Sequence, residues 1–165
     1  MEKTLKVLNE LEQKGLIERY AIGGGIGALF YAEPVLTFDL DVFIFLPAMK
    51  GPLVMLSPIY DYLRSKGYRE HQEHVIIEGI PVQFIPAYNP LVEEALEEAE
   101  EVKYKQVKTK VISAEHLLAI MLKTGRAKDR ERMALFLEEV KIDKNRFAQI
   151  IKRHNLTAAW NRFKK

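Results

Sequence analysis

Residues Gly23 to Leu46 read GGGIGALFYAEPVLTFDLDVFIFL, and the reading of this stretch decides the fold. Three glycines open it, a short apolar helical patch follows, and an apolar strand then carries Asp39 and Asp41 one residue apart. Side chains alternate along a strand. Both carboxylates are therefore expected on one face, roughly 7 Å apart, with Leu40, Val42 and Ile44 on the other. Two acids in so apolar a strand are costly to bury without a cation or hydrogen-bond donors. Like charges this close also resist joint ionisation unless a cation neutralises them. A divalent metal meets both demands, and Mg²⁺ in particular is held by one or two carboxylates together with phosphate oxygens. The glycines upstream let backbone approach a phosphate closely. The plainer alternative is a solvated pair of acids on the open face of an edge strand, behind an ordinary glycine turn.

On either side of this stretch the pattern alternates between helix and strand. Leu5, Leu8, Leu11 and Leu16 predict an amphipathic helix over 3–18, with Gly15 able to end it early. Tyr20 to Ile22 reads as a first strand, Ile26 to Tyr31 as a short helix leaving at Pro34, and Thr37 to Leu46 as the second strand. The spacing over Leu53 to Ser65 predicts a helix that Pro58 either kinks or starts late. Tyr68 to Ala87 reads as a hairpin whose runs Val75 to Ile77 and Ile80 to Ile85 meet at Glu78 and Gly79, with Pro81 at an edge or a ladder end. A helix over Leu91 to Glu101 carries glutamates expected on a solvated face. Val102 to Ile112 reads as a last strand, and Ser113 as the cap of a helix running to Gly125. Further short helices are expected over Lys128 to Val140, Asn145 to His154 and Leu156 to Phe163. The order predicts an α/β (α+β) fold, a mixed sheet flanked by helices over residues 1–112 and a helical region, 113–165, packed on it.

Composition narrows the function classes. The 165 residues suit one domain, the apolar fraction of 48% suits a packed core, and a formal net charge of +2 makes no global demand for nucleic acid. The chain has no cysteine, which excludes disulfides, thiolate metal sites and a cysteine nucleophile. Charged residues follow Met1, and no apolar run reaches the roughly 20 residues that cross a bilayer. The expectation is a cytoplasmic protein with no membrane partner. Charge is nonetheless uneven. The basic end holds Lys144, Arg146, Lys152, Arg153, Arg162, Lys164 and Lys165 beside Phe147, Trp160 and Phe163. That mixture either packs as small amphipathic helices, the favoured reading, or meets RNA by phosphate contact and stacking. His116 is expected as a partly buried surface residue. His71 and His74, read along one strand, face opposite sides, and the ligand count is against zinc.

The glycine turn and the Thr37-Phe38-Asp39-Leu40-Asp41-Val42 segment resemble the nucleotidyltransferase superfamily, the DNA polymerase beta-like fold. Its signature is a glycine-led turn and short helix, then a strand bearing Asp-x-Asp. Downstream, Leu117 to Asp129, LLAIMLKTGRAKD, resembles the helical motif of the AbiEii-type, toxin-like branch, in which a lysine, an arginine and an aspartate follow an apolar helix. The resemblance spans roughly residues 20–140. It implies transfer of a nucleoside monophosphate from an NTP to a protein or nucleic-acid acceptor, with Mg²⁺ (or Mn²⁺) held by Asp39 and Asp41. It further implies phosphate binding by Gly23, Gly24 and Gly25, nucleotide contacts from Thr37 and Arg126, a phosphate-neutralising Lys123, an Asp129 that positions Lys123 or the acceptor, and a cognate partner protein of the toxin–antitoxin kind. Two departures stand out. Gly25 and Ile26 occupy the place of the usual serine, and Gln83 stands where many active members carry a third carboxylate. An amide accepts hydrogen bonds but is no base near neutral pH. His74 and Glu78, on the adjoining strand, are the substitutes to consider. The alternative function is a catalytically inactive member that binds nucleotide or a partner protein.

Overall fold

The computed structural model describes residues 1–24, 39–47 and 56–165. The expected short helix over 26–31, its exit at Pro34, Gly25, Thr37 and residues 48–55 lie outside the described residues. Helix α1 spans Glu2–Gln13, shorter than the 3–18 expected, because Lys14 and Gly15 turn the chain and Gly15 takes φ +69°. Its Leu5, Leu8 and Leu11 are fully buried, each worth about 1.5–3 kcal/mol. Strands β1 (Arg19–Gly23) and β2 (Leu40–Phe45) follow. Helix α2 spans Ser57–Ser65, with Pro58 in its first turn, where a missing N–H costs nothing.

The expected hairpin has three strands: β3 (Arg69–His71), β4 (His74–Ile77) and β5 (Ile80–Pro86). The β4–β5 turn is the one foreseen, with positive φ at both Glu78 and Gly79. The β3–β4 turn went unseen because Gln72, a weak turn former, adopts φ +56°. Pro81 marks a ladder end and no edge: β5 lies between β4 and β2, and its pairing to β2 begins at Val82. Helix α3 (Pro90–Glu97), capped by Asn89 accepting from Val92 N–H, stops short of Glu101. Residues 100–111 form a second hairpin, β6 (Glu100–Tyr104) and β7 (Val107–Val111), where one strand was expected. Its turn, Lys105 at φ +52° with Gln106, again lacks glycine, asparagine and proline. Helices α4 (Ala114–Thr124), α5 (Ala127–Glu139), α6 (Lys144–Arg153) and α7 (Thr157–Phe163) complete the described chain.

The seven strands form one mixed sheet in the order β3-β4-β5-β2-β1-β7-β6. The β2/β5 and β1/β7 pairs are parallel and the others antiparallel. Alternation divides the core in two. Tyr20, Ile22, Leu40, Val42, Ile44, Val82 and Phe84 pack with α1 and α2 on one face. Ala21, Phe43 and Ile112 pack with α3, α4, α5 and α6 on the other. Phe147 is buried, Trp160 stacks on Phe163, and both rings pack on that second core, so the aromatics of the basic end serve as core.

Charged groups join the helices of the second face. Glu94 of α3 accepts from Arg153 at 2.6 and 3.2 Å, and its oxygens lie 2.8 Å from His154 Nε2 and 3.1 Å from His116 Nε2. The solvated-face expectation therefore holds for Glu93 and Glu97 and fails for Glu94. His116, expected as a partly buried surface residue, is fully buried, with Nδ1 2.8 Å from Ser113 Oγ.

Candidate active site

Pairing register assembles the site. Gly23 of β1 is level with Asp41 of β2, and Asp41 is level with Gln83 of β5. Val75 pairs with Val82, so His74 at the start of β4 continues the same row beyond Gln83. Residues level across a pleated sheet point to one face. Asp41, Gln83 and His74 accordingly share the face that carries Phe43, opposite Leu40 and Val42. Asp39, two residues before Asp41, lies on that face as well, as alternation required. His74 Nε2 stands 3.6 Å from Asp39 Oδ2. His71 pairs with His74 across the β3–β4 turn, so the two share a face, contrary to the single-strand reading.

The glycine turn closes on Asp41. Gly24 has φ +60°, a conformation that L side chains rarely adopt, and a Cβ there would fall 1.9 Å from Asp41 Oδ2. A Cβ on Gly23 would fall 2.3 Å from the Phe43 ring. Both positions thus need glycine for space, and at Gly24 the space belongs to a carboxylate. Burial pushes the Asp41 carboxyl pKa up, and the neighbouring Asp39 charge pushes it further. Arg126, His74 and Arg132 pull it back.

Arg126 stands in the link between α4 and α5. Gly125 ends α4 in the left-handed conformation, its N–H bonded to Met121 O, and aims the chain into Arg126. The guanidinium forks onto Asp129, Nε to Oδ2 at 2.7 Å and Nη2 to Oδ1 at 3.1 Å. Asp129 is buried to 1% exposure while the Arg126 side chain is 55% exposed. A buried carboxylate thereby holds a half-exposed guanidinium whose charge acts on Asp41 and whose remaining N–H groups suit phosphate oxygens.

Other expected residues fall elsewhere or apart. Lys123 is exposed in the last turn of α4 and lines a cavity of about 280 Å³ with Tyr88, Leu91 and Ile120. Glu78 sits in the β4–β5 turn, bonded by the Tyr68 hydroxyl at 2.8 Å and 3.9 Å from Lys3, on the α1 side of the sheet. Arg132 was not singled out from the sequence. Among the described residues, Glu94, Glu98 and His116 bring three donor atoms within 4.8 Å of one another, but Arg153 and Arg146 already neutralise the two acids.

No helix of the described residues is long and apolar enough to cross a membrane. No protein-family model matches the chain, and no curated protein matches it. Among solved structures, the crystal structure of an antigenic nucleotidyltransferase-like protein from Paracoccidioides brasiliensis is similar, with a TM-score of 0.49 and 15% identity, over 96% of this chain and 92% of that one. A likeness that slight carries no weight for function, which has to come from the chemistry of Asp39, Asp41 and their neighbours.

Proposed function

We propose that the protein is a metal-dependent nucleotidyltransferase of the DNA polymerase beta-like superfamily. It moves a nucleoside monophosphate from an NTP to a hydroxyl of a protein or nucleic-acid acceptor. The observation that carries the reading is the closure of the Gly24 backbone on Asp41, beside Asp39 on the same sheet face. Carboxylate oxygens are hard donors, and the raised Asp41 pKa marks negative charge that lacks compensation. A divalent ion fits both, and Asp39 and Asp41 would hold it. Such an ion, Mg²⁺ or Mn²⁺, supplies Lewis-acid stabilisation of charge on the phosphoryl oxygens.

The chain's own groups do the rest. Arg126, aimed by Asp129, takes charge on the phosphates. Gln83 orients the acceptor hydroxyl through its amide oxygen. The acceptor oxygen bonds to the α-phosphorus, the bond from that phosphorus to the bridging oxygen breaks, and pyrophosphate leaves with that oxygen. The hydroxyl proton goes to water or a neighbouring base, because Gln83 cannot hold it. The AbiEii-type branch and a toxin–antitoxin partner belong to this proposal on the strength of the Leu117 to Asp129 resemblance, and a cytoplasmic location belongs to it on composition.

Gln83 favours a second reading, an inactive member that binds nucleotide without transfer. One experiment separates the two: calorimetric titration of ATP, GTP, CTP and UTP with and without Mg²⁺, on wild type and the Asp39→Asn/Asp41→Asn double variant, followed by a pyrophosphate assay. Metal-dependent binding lost in the variant, with pyrophosphate released by wild type, is the expected result. Binding without pyrophosphate release, across a panel of RNA and protein acceptors, selects the second reading. Absence of nucleotide binding overturns both and leaves the inactive member that binds a partner protein.

A further inference from the structure

His74 is the group in this site that the proposed chemistry leaves unused. Its side chain is 16% exposed, yet Nε2 itself is buried and has no hydrogen-bond partner among the described residues. A buried polar nitrogen left unmatched costs about 1–3 kcal/mol, so its position calls for a cause. The nearest acid is Asp39, with Oδ2 at 3.6 Å, beyond hydrogen-bonding range. Two ligands of one first-row ion, each about 2.1 Å from it, stand roughly 3.0–3.4 Å apart. A small adjustment of either side chain brings Nε2 and Oδ2 to that spacing.

We propose that His74 is a nitrogen ligand to the ion held by Asp39, and that the site therefore takes a divalent transition ion of the Mn²⁺ class in preference to Mg²⁺. This rests on the reading that Asp39 and Asp41 hold a divalent ion. Mg²⁺ is a hard ion that favours oxygen, whereas imidazole suits first-row transition ions. Gln83, level with Asp41 where a third acid would stand, adds no charge to favour the harder ion. The row thus offers two carboxylates and one imidazole.

A contrary role for His74 makes an opposite forecast. If it is only the counter-charge of Asp39, removing it takes a competing cation away, and metal binding stays the same or tightens. The test is calorimetric titration of Mn²⁺ and Mg²⁺ without nucleotide, on wild type, His74→Ala, His74→Gln and Asp39→Asn/Asp41→Asn, with thermal unfolding of each. The visible absorption of Co²⁺ in the same proteins reports nitrogen ligation directly. Loss of an outer-shell partner alone costs about 10–100-fold in affinity, so loss of a ligand should weaken Mn²⁺ binding at least about tenfold. The expected result is that loss in both His74 variants, with Mg²⁺ affinity unchanged and the Co²⁺ spectrum altered. Unchanged or tighter Mn²⁺ binding in folded His74→Ala overturns this proposal while leaving Asp39 and Asp41 as ligands. Failure of wild type to bind any of the ions overturns the metal reading itself.

Discussion

Replacing Gly24 with alanine tests the contact on which the functional reading stands. The new Cβ would fall 1.9 Å from Asp41 Oδ2, 2.8 Å from its Cγ and 3.0 Å from its Cβ. Ordinary contact begins at roughly 3.5 Å, so Oδ2 must retreat by about 1.5 Å. A non-glycine residue at φ +60° costs about 1–2 kcal/mol in backbone strain. Driving Asp41 off its rotamer adds about 0.5–1.5 kcal/mol. The expected loss is about 2–3 kcal/mol of stability, read by urea unfolding. Gly15→Ala is the control, since Gly15 has φ +69° and nothing within 4 Å of a built Cβ. It should show only the strain, about 1–2 kcal/mol, and bind Mg²⁺–NTP like wild type. Gly24→Ala should in addition weaken metal-dependent nucleotide binding by about 10–100-fold, the cost of disturbing the support of a metal ligand. Equal stability losses in the two variants, with nucleotide binding intact in both, would refute the placement of Gly24 against Asp41.

Three further outcomes are expected. The hydrogen bond from Arg153, then those from His154 and His116, hold the Glu94 pKa down from 4.5 to about 2; its stabilisation is present above pH 4.5 and lost as pH falls from there toward 2. The full fall corresponds to about 3.4 kcal/mol, and solvent screening around half-exposed Arg153 reduces it to about 1–2 kcal/mol, so Glu94→Gln should cost that much at pH 7 and little at pH 2.5 in chemical denaturation. Ser113→Ala removes the acceptor for His116 N–H and the partner of buried His116 Nδ1; a loss of about 1–2 kcal/mol in thermal or urea unfolding is expected, and no loss would show that water replaces the hydroxyl. Gln83→Glu places a third acid level with Asp41; if the missing base limits transfer, pyrophosphate release should rise at least about tenfold near neutral pH, and an unchanged rate would place the limit elsewhere.

The legible parts of this fold are those in which local chemistry and tertiary structure agree. Ser113 caps a helix, Gly125 ends it, Pro58 opens one, and the apolar alternation around Asp41 puts it opposite Leu40 and Val42. Two hairpin turns were missed for one reason: Gln72 and Lys105 accept positive φ because the paired strands on either side hold them there. Glu94 looked solvated because its partners Arg153 and His154 lie 59 and 60 residues away. The candidate site divides in the same manner. Asp39 and Asp41 are a local pattern and were readable. The neighbourhood of His74 and Gln83 depends on the β4/β5 and β2/β5 registers, which the sequence between them does not encode locally.

The disposition of charge bears on the order in which ligands enter. Arg126 is an oriented donor more than a net cation, because Asp129 already matches its charge at 2.7 and 3.1 Å. Asp41 is opposed by Arg126, then by His74 and Arg132, and its pKa stays raised despite them. A triphosphate approaching that face alone meets repulsion from both acids, and the Arg126 fork is already engaged. Paired with a divalent ion it meets attraction from the same acids and retains Arg126 as a directional contact. On the proposed reading, metal dependence of nucleotide binding would follow from where Asp129 places its carboxylate as much as from Asp39 and Asp41.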